Sequence, residues 1–321
     1  LFLACQNGNA NLVTLLLEAG ADANAALPGG ETALMTAART GRLAAVRALL
    51  QCGAHVNAAE RKGQTAIMWA AANGHADVVA QLIEAGADIH DSLKSGFSPL
   101  SFAVREGHCE VTRVLLEAGA DVNAPMRPSI KGTRVARNGT SPLLLAVENG
   151  HFELADQLLR AGADPNDQRS GYTALHAITW VRKPNLGDGV DGDPPPIGSG
   201  EVTSLQFVRK LVDHGADVNS RLRRGRSGRG RLNQKDATPF LFAADTGDLP
   251  LMKLLIELGA DPKLTNADDC PPLLAAAGIG TIAPGEEAGT EEEALAEVKL
   301  LLDLGANINF VDKNGETAMH G

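Results

Sequence analysis

The chain has 321 residues, a net charge of −10 and 3% aromatic residues. No apolar stretch approaches the roughly 20 residues of a membrane-spanning helix. An acidic chain with so few rings is also a poor match for nucleic acid, because it repels phosphates and offers no stacking platform for bases. Cys5, Cys52, Cys109 and Cys270 form no Cys-x-x-Cys pair or regular ladder, so neither a disulfide framework nor a metal site is expected.

Residues 1–123 repeat one unit. Gly-Ala steps at Gly20, Gly53, Gly86 and Gly119 recur every 33 residues, each closing an apolar run. Between Thr65 and Asn123, Thr65 and Ser98 stand where a helix N-cap belongs. Pro99, like Pro142 and Pro239 further on, follows such a residue at the first helical position, where a missing N–H costs nothing. The predicted first helix is short and Ala-rich (Ala70, Ala71, Ala72) and ends at Asn73-Gly74-His75. A second helix shows Val78, Val79, Leu82 and Ile83 at helical spacing and stops at Gly86, whose left-handed conformation caps it. Ala87-Asp88-Ile89 then leads into a hairpin finger that reaches the next cap.

The Gly-Ala steps continue at Gly162, Gly215, Gly259 and Gly305, with spacings that exceed 33 by 10, 20, 11 and 13. Two insertions lengthen fingers, near 124–139 and 220–236. Two lengthen the turn between paired helices, near 182–201 and 279–297. Insertions in repeat arrays map to loops, often on the binding face, so residues 124–321 form the specialised part. The first finger carries Arg127, Lys131, Arg134 and Arg137; the second carries Arg221, Arg223, Arg224, Arg226, Arg229, Arg231 and Lys235 against Asp236. Outside the fingers, 18 basic residues face 38 acidic ones, a net of −20. In the turn insertions, Asp188, Asp191 and Asp193 depart from an EF-hand loop, with Ser199 where a bidentate Glu belongs. Glu286, Glu287, Glu291, Glu292 and Glu293 follow in the second, where Thr290 and Glu293 read as a capping box.

With Thr-Ala-Leu-Met at Thr32–Met35, Thr-Ala-Leu-His at Thr173–His176, Asn-Gly-His from Asn73 and Asn149, and Gly-Ala-Asp-Val-Asn from Gly119 and Gly215, the chain resembles ankyrin-repeat proteins over essentially its whole length. The resemblance implies an all-α solenoid of stacked helix-turn-helix units with hairpin fingers. It implies one solenoid over 1–321, of about eight repeats plus partial ends, whose inner helices and finger tips form a concave binding face. It implies binding of another protein and no shared catalytic residues, hence neither enzyme nor cofactor. The long insertions and Ala/Gly-rich consensus look more like environmental bacterial ankyrin proteins, often exported, than animal ones; a periplasmic or secreted location would follow, and a cytoplasmic one otherwise. Leu1–Gly8 enters mid-helix and Gly315–Gly321 stops inside a ninth copy. A solenoid with uncapped ends is expected to continue in both directions, which leaves a signal peptide open and keeps a second reading, the interaction domain of a larger enzyme.

Aligned first helices place Trp180 in the variable column of Arg39, Ala72, Arg105, Glu148 and Asp245, which in the family faces the groove. Tyr172, the one tyrosine, shares the hairpin column of Glu31, Gln64, Phe97 and Ala237. Trp, Tyr and Arg are the types most enriched at interface hot spots, so Tyr172 and Trp180 are the candidate binding centre, with Arg105 and Phe97 in the same columns. The basic fingers are candidates for clamping an anionic ligand, foremost an acidic protein surface; the alternative is that they are solvated and idle. Trp69 is expected in the core with Phe102, Leu145 and Phe242. His75, His108 and His151 fill one repeat position and His176 and His320 another, and none has metal-ligand or acid–base spacing. There is no Gly-x-Ser-x-Gly elbow and no phosphate loop, and the glycines from Gly225 to Gly230 follow no strand and open no long helix.

Overall fold

A computed structural model describes residues 1–130, 137–184, 196–223, 225, 232–280 and 289–319. The chain divides into two compact units, Leu1–Leu145 and Ala146–Gly321. The first contains α1 (Phe2–Gln6), α2 (Ala10–Glu18), α3 (Ala33–Arg39), α4 (Leu43–Gln51), α5 (Ala66–Ala72), α6 (Ala76–Glu84), α7 (Pro99–Arg105) and α8 (Cys109–Glu117), and α9 (Pro142–Glu148) crosses the boundary. The second contains α10 (Phe152–Arg160), α11 (Ala174–Arg182), α12 (Ser204–Asp213), α13 (Pro239–Asp245), α14 (Leu249–Glu257), α15 (Pro272–Ala276) and α16 (Glu291–Asp303). Among the described residues there is no strand, only isolated bridges such as Ala26 with Thr32.

The predicted caps start these helices. The hydroxyls of Thr32, Ser98, Thr173, Thr203, Thr238 and Thr290 each accept a hydrogen bond from the backbone N–H three residues on. Thr65 holds the cap position of α5 without that bond, and its hydroxyl is buried with no partner among the described residues. In the first unit α1, α3, α5 and α7 pack in one row, and α2, α4, α6 and α8 in another; in the second, α11, α13 and α15 form a row, α10 packs on α12, and α14 on α16. Ala37, Ala70 and Ala103 are wholly enclosed, so the first helices approach closely.

Polar links hold neighbouring copies in register. The Asn57 amide donates to the Gly86 carbonyl at 3.0 Å while its oxygen accepts from Asp88 N at 2.9 Å, and Asn24, Asn166 and Asn219 repeat the pair. His75 and His108 reach the carbonyls of Arg39 and Ala72 one copy back. This needs glycine beneath the ring: Gly41 has φ +69, and a Cβ there would lie 2.6 Å from His75. At the two lengthened turns a second glycine takes the place of the ring. Gly198 lies against Gly150 and Gly289 against Gly247 as each insertion returns. The second insertion ends earlier than the spacing suggested, because the capping box at Thr290 makes residues 291–297 part of α16.

The fingers grow from an unchanged base. In ordinary hairpins Leu93 N bonds Phe97 O while Gly96 N bonds Leu93 O. In the long ones Met126 N bonds Thr140 O with Gly139 N on Met126 O, and Leu222 N bonds Ala237 O with Asp236 N on Leu222 O. The position before the last pairing residue needs a left-handed backbone, supplied by Gly30, Gly63, Gly96 and Gly139, whereas Asp236 and Asp269 adopt it at φ 60 and 57. All extra residues therefore sit beyond the closing bonds.

Leu158 of α10 is fully buried, and Leu159 beside it is 4% exposed. Leu158→Ala is expected to cost roughly 2–5 kcal/mol. Chemical denaturation measures this; a loss below about 0.5 kcal/mol, the range of a surface substitution, would contradict the register described here.

Candidate functional site

Within one copy, the residue before the N-cap of the first helix touches the seventh residue of that helix. Glu31 pairs with Arg39 at 3.4 Å, the Arg105 guanidinium lies 4.8 Å from the Phe97 ring centre, and Trp180 meets Tyr172 edge-on at 5.0 Å. The seventh residue also reaches a ring at the fourth helical position. Arg39 lies 5.4 Å from Trp69 and Trp180 lies 6.0 Å from Phe242, each one copy on, while Arg105 lies 5.4 Å from Phe102 in its own helix. Trp180 thus occupies in the second unit the place that Arg39 occupies in the first.

Tyr172 is more enclosed than a presented hot spot would be. The residue is 6% exposed, and its hydroxyl bonds to the Glu148 carboxylate, the seventh residue of the preceding first helix. Trp180 remains half-buried, so the tyrosine supports the indole and the indole offers the accessible surface. Trp69 differs from expectation. Phe102, Leu145 and Phe242 are buried, but Trp69 is half-buried beneath Arg39, and its indole N–H has no partner among the described residues.

In the fingers, Arg127, Arg137, Arg221 and Arg223 are exposed. Arg221 is tied to the scaffold, donating to the carbonyls of Thr265 at 2.8 Å and Asp236 at 3.2 Å. Arg134, Arg224, Arg226, Arg229 and Arg231 lie outside the described residues, as do Lys131, Asp188, Asp191, Asp193, Glu286, Glu287 and His320. Among the described residues no cluster of His, Cys, Asp and Glu could hold a metal ion, and no helix is long and apolar enough to cross a membrane.

Comparison with known families matches a model described as ankyrin repeats in three copies over residues 1–93 and 59–126, and a single ankyrin-repeat model over 138–169 and 235–267. The chain belongs to the ankyrin-repeat proteins. A similar solved structure is the crystal structure of the human ASB11 ankyrin repeat domain. It has a TM-score of 0.62 and 22% identity, over 81% of this chain and 98% of that one, a likeness of fold. No curated protein matches. Ankyrin repeats in general are protein–protein interaction modules.

The second unit of this ankyrin-repeat protein also holds a buried charged cluster that sequence reasoning did not single out. At the end of α11, Arg182 grips Asp248 with two bonds, of 2.6 and 2.9 Å, and Ser204 with a third. Asp248 is fully buried and caps α14 through Leu251 N. Lys183 bonds Glu293 at 2.5 Å, which holds that carboxyl below its usual range. Beside them Glu297 is fully buried, and neither carboxyl oxygen has a partner among the described residues. Its column is filled elsewhere by Ala45, Val78, Val111, Leu154, Phe207 and Leu251, all buried, so the one signal in the sequence was an acid at an apolar register position. Burial pushes the Glu297 carboxyl up to about 8, with Asp248, Glu293 and Asp245 adding to the rise and Lys183 opposing it.

A carboxyl whose folded pKa lies above its unfolded value stabilises least once the unfolded chain has ionised. Stability from Glu297 is fully present below the ordinary glutamate value of 4.5 and is lost as pH rises toward about 8. Glu297→Gln should match the parent near pH 4.5 and become progressively more stable up to pH 8, by at most about 1.4 kcal/mol per pH unit. Denaturation of both proteins across that range tests it; parallel curves would show that Glu297 ionises as in the unfolded chain.

Proposed function

We propose that this chain is a non-enzymatic binding module that engages a protein partner through its first helices and hairpin fingers, with the two basic fingers specialised for an acidic partner surface. The observation that carries this reading is the geometry of the finger bases. Both insertions leave the hairpin bonds of the regular copies intact, so the scaffold that positions the fingers is independent of what they carry. What they carry is 11 of the 29 basic residues in a chain of net charge −10. Such concentration of opposite charge steers association with an acidic surface more than it adds contact energy. Arg127 and Arg223, exposed beside the closing bonds and without an ion pair among the described residues, fit that role, whereas Arg221 braces the finger.

The test is kinetic and uses the native partner, captured with the protein and identified by mass spectrometry. Reversing Arg223, Arg224 and Arg226 to Glu should slow association several-fold at low salt and flatten its salt dependence, with dissociation and melting little changed. Association that is unchanged at two salt concentrations would show that the fingers are solvated and idle.

A further inference from the structure

Helix α16 lacks a polar link that holds the other second helices of its unit. Asn166 and Asn219 bridge to the carbonyls of Gly215 and Gly259, the glycines that end α12 and α14, at 2.8 and 3.3 Å. Lys263 stands at that place in the next copy, and among the described residues its side chain makes no bond to Gly305, the glycine that ends α16. At the other end of α16 the pair of Lys183 with Glu293 is part-open to water, its side chains 29% and 35% exposed, and such pairs contribute little. What holds α16 is therefore its apolar packing on α15 and α14, where Leu301 is 1% exposed. Glu297 lies one turn before Leu301 in that packing, fully buried, with both carboxyl oxygens lacking a partner among the described residues. The charged groups around it are Asp248 of α14, Asp245 of α13, Glu293 one turn earlier on α16, and Lys183 at the end of α11, while α15 brings none. Lys183 is bonded to Glu293, and the adjacent Arg182 to Asp248, so both cations are engaged by another acid.

We propose that α16 is a proton-held lid: it lies closed on α14 and α15 while Glu297 is protonated, and it opens locally, with α10–α15 still folded, when Glu297 ionises. An ionised carboxylate buried without a hydrogen bond is far costlier than the neutral acid, and moving α16 away from α14 returns it to water. Opening passes the Glu297 proton to solvent and uncovers the faces of α14 and α15 that pack on α16. The bonds between Arg182 and Asp248 join α11 to α14 without α16, so they survive the opening. The carboxyl stands at about 8 when closed and returns to the ordinary 4.5 when open. The ratio of closed to open forms therefore falls about ten-fold per pH unit between those values and levels off above them. The inference is independent of the fingers and of their partner.

Amide hydrogen exchange of the full chain tests this, with each rate compared with that of an unstructured amide at the same pH to give a protection. Between about pH 5.5 and 7.5 the protection of α16 should fall about 100-fold, and it should change little above about pH 8. At every pH it should stay at least about ten-fold below the protection of α12 and α14, because a local opening costs less than unfolding the unit. Glu297→Gln and Glu297→Leu, the second apolar like Leu154 and Leu251 in the same column, should each make the protection of α16 nearly independent of pH. The same pH dependence in the parent and in both variants would show that Glu297 reaches water or a cation without any opening, and would overturn the proposal. Equal protection of α16 and α14 throughout would overturn it as well, because the unit would then unfold as a whole. Neither result bears on the finger experiment, which reads association of the native partner through arginines of the second finger.

Discussion

One leucine per copy carries each unit. Leu49, Leu82 and Leu115 in the first, and Leu158, Leu211, Leu255 and Leu301 in the second, occupy the same register position of the second helix and are at most 1% exposed. A nine-residue helix beside a seven-residue one has too little surface to enclose such a side chain alone, so the cover comes from the adjacent copy. Every other regularity serves this requirement. Alanines on the first helices bring the copies close enough, the asparagine bridges and the histidine-over-glycine contacts hold the spacing, and the left-handed glycines end each helix where the next turn must begin.

The same constraint decides where the chain can vary. The two fingers add residues beyond a closed pair of backbone bonds, so lengthening them leaves the hairpin base as it is in the regular copies. The entropic cost of such a loop grows only logarithmically, on the order of 1 kcal/mol for a few-fold increase. Lengthening a turn between paired helices is more demanding, because that turn normally supplies the contact to the previous copy. The structure replaces it. Gly198 closes on Gly150 while Ser199 N donates to His151 at 3.0 Å, and Gly289 closes on Gly247 while Lys183 reaches Glu293. The acids around Arg182 and Lys183 belong to this second arrangement, and Glu297 is its member without a partner among the described residues.

The seventh position of the first helix lies outside these demands. Arg39, Ala72, Arg105, Glu148, Trp180 and Asp245 differ in size and charge because none fills the leucine-centred core. This freedom lets one scaffold carry a cationic column in one unit and an acidic-aromatic one in the other. The seventh position thereby varies without cost to the packing that holds the copies together.

The 33-residue spacing, the cap residues and the Gly-Ala steps were enough to place the helices, the insertions and the buried leucines, because these depend on local chemistry and on a periodic pattern that repeats. The candidate columns at Phe97, Arg105, Tyr172 and Trp180 were legible for the same reason. How deep each side chain lies was not. Tyr172 turned out to be enclosed because Glu148 of the preceding copy receives its hydroxyl, Trp69 half-open because Arg39 of the preceding copy covers it, and Arg221 committed because Thr265 of the next hairpin accepts one of its bonds. Glu297 reads as an ordinary surface acid of a charged helix until α14 and its neighbours close over it. Each of these outcomes is set by a partner more than 20 residues away in the chain, and only the packing of copy on copy brings such a partner within reach.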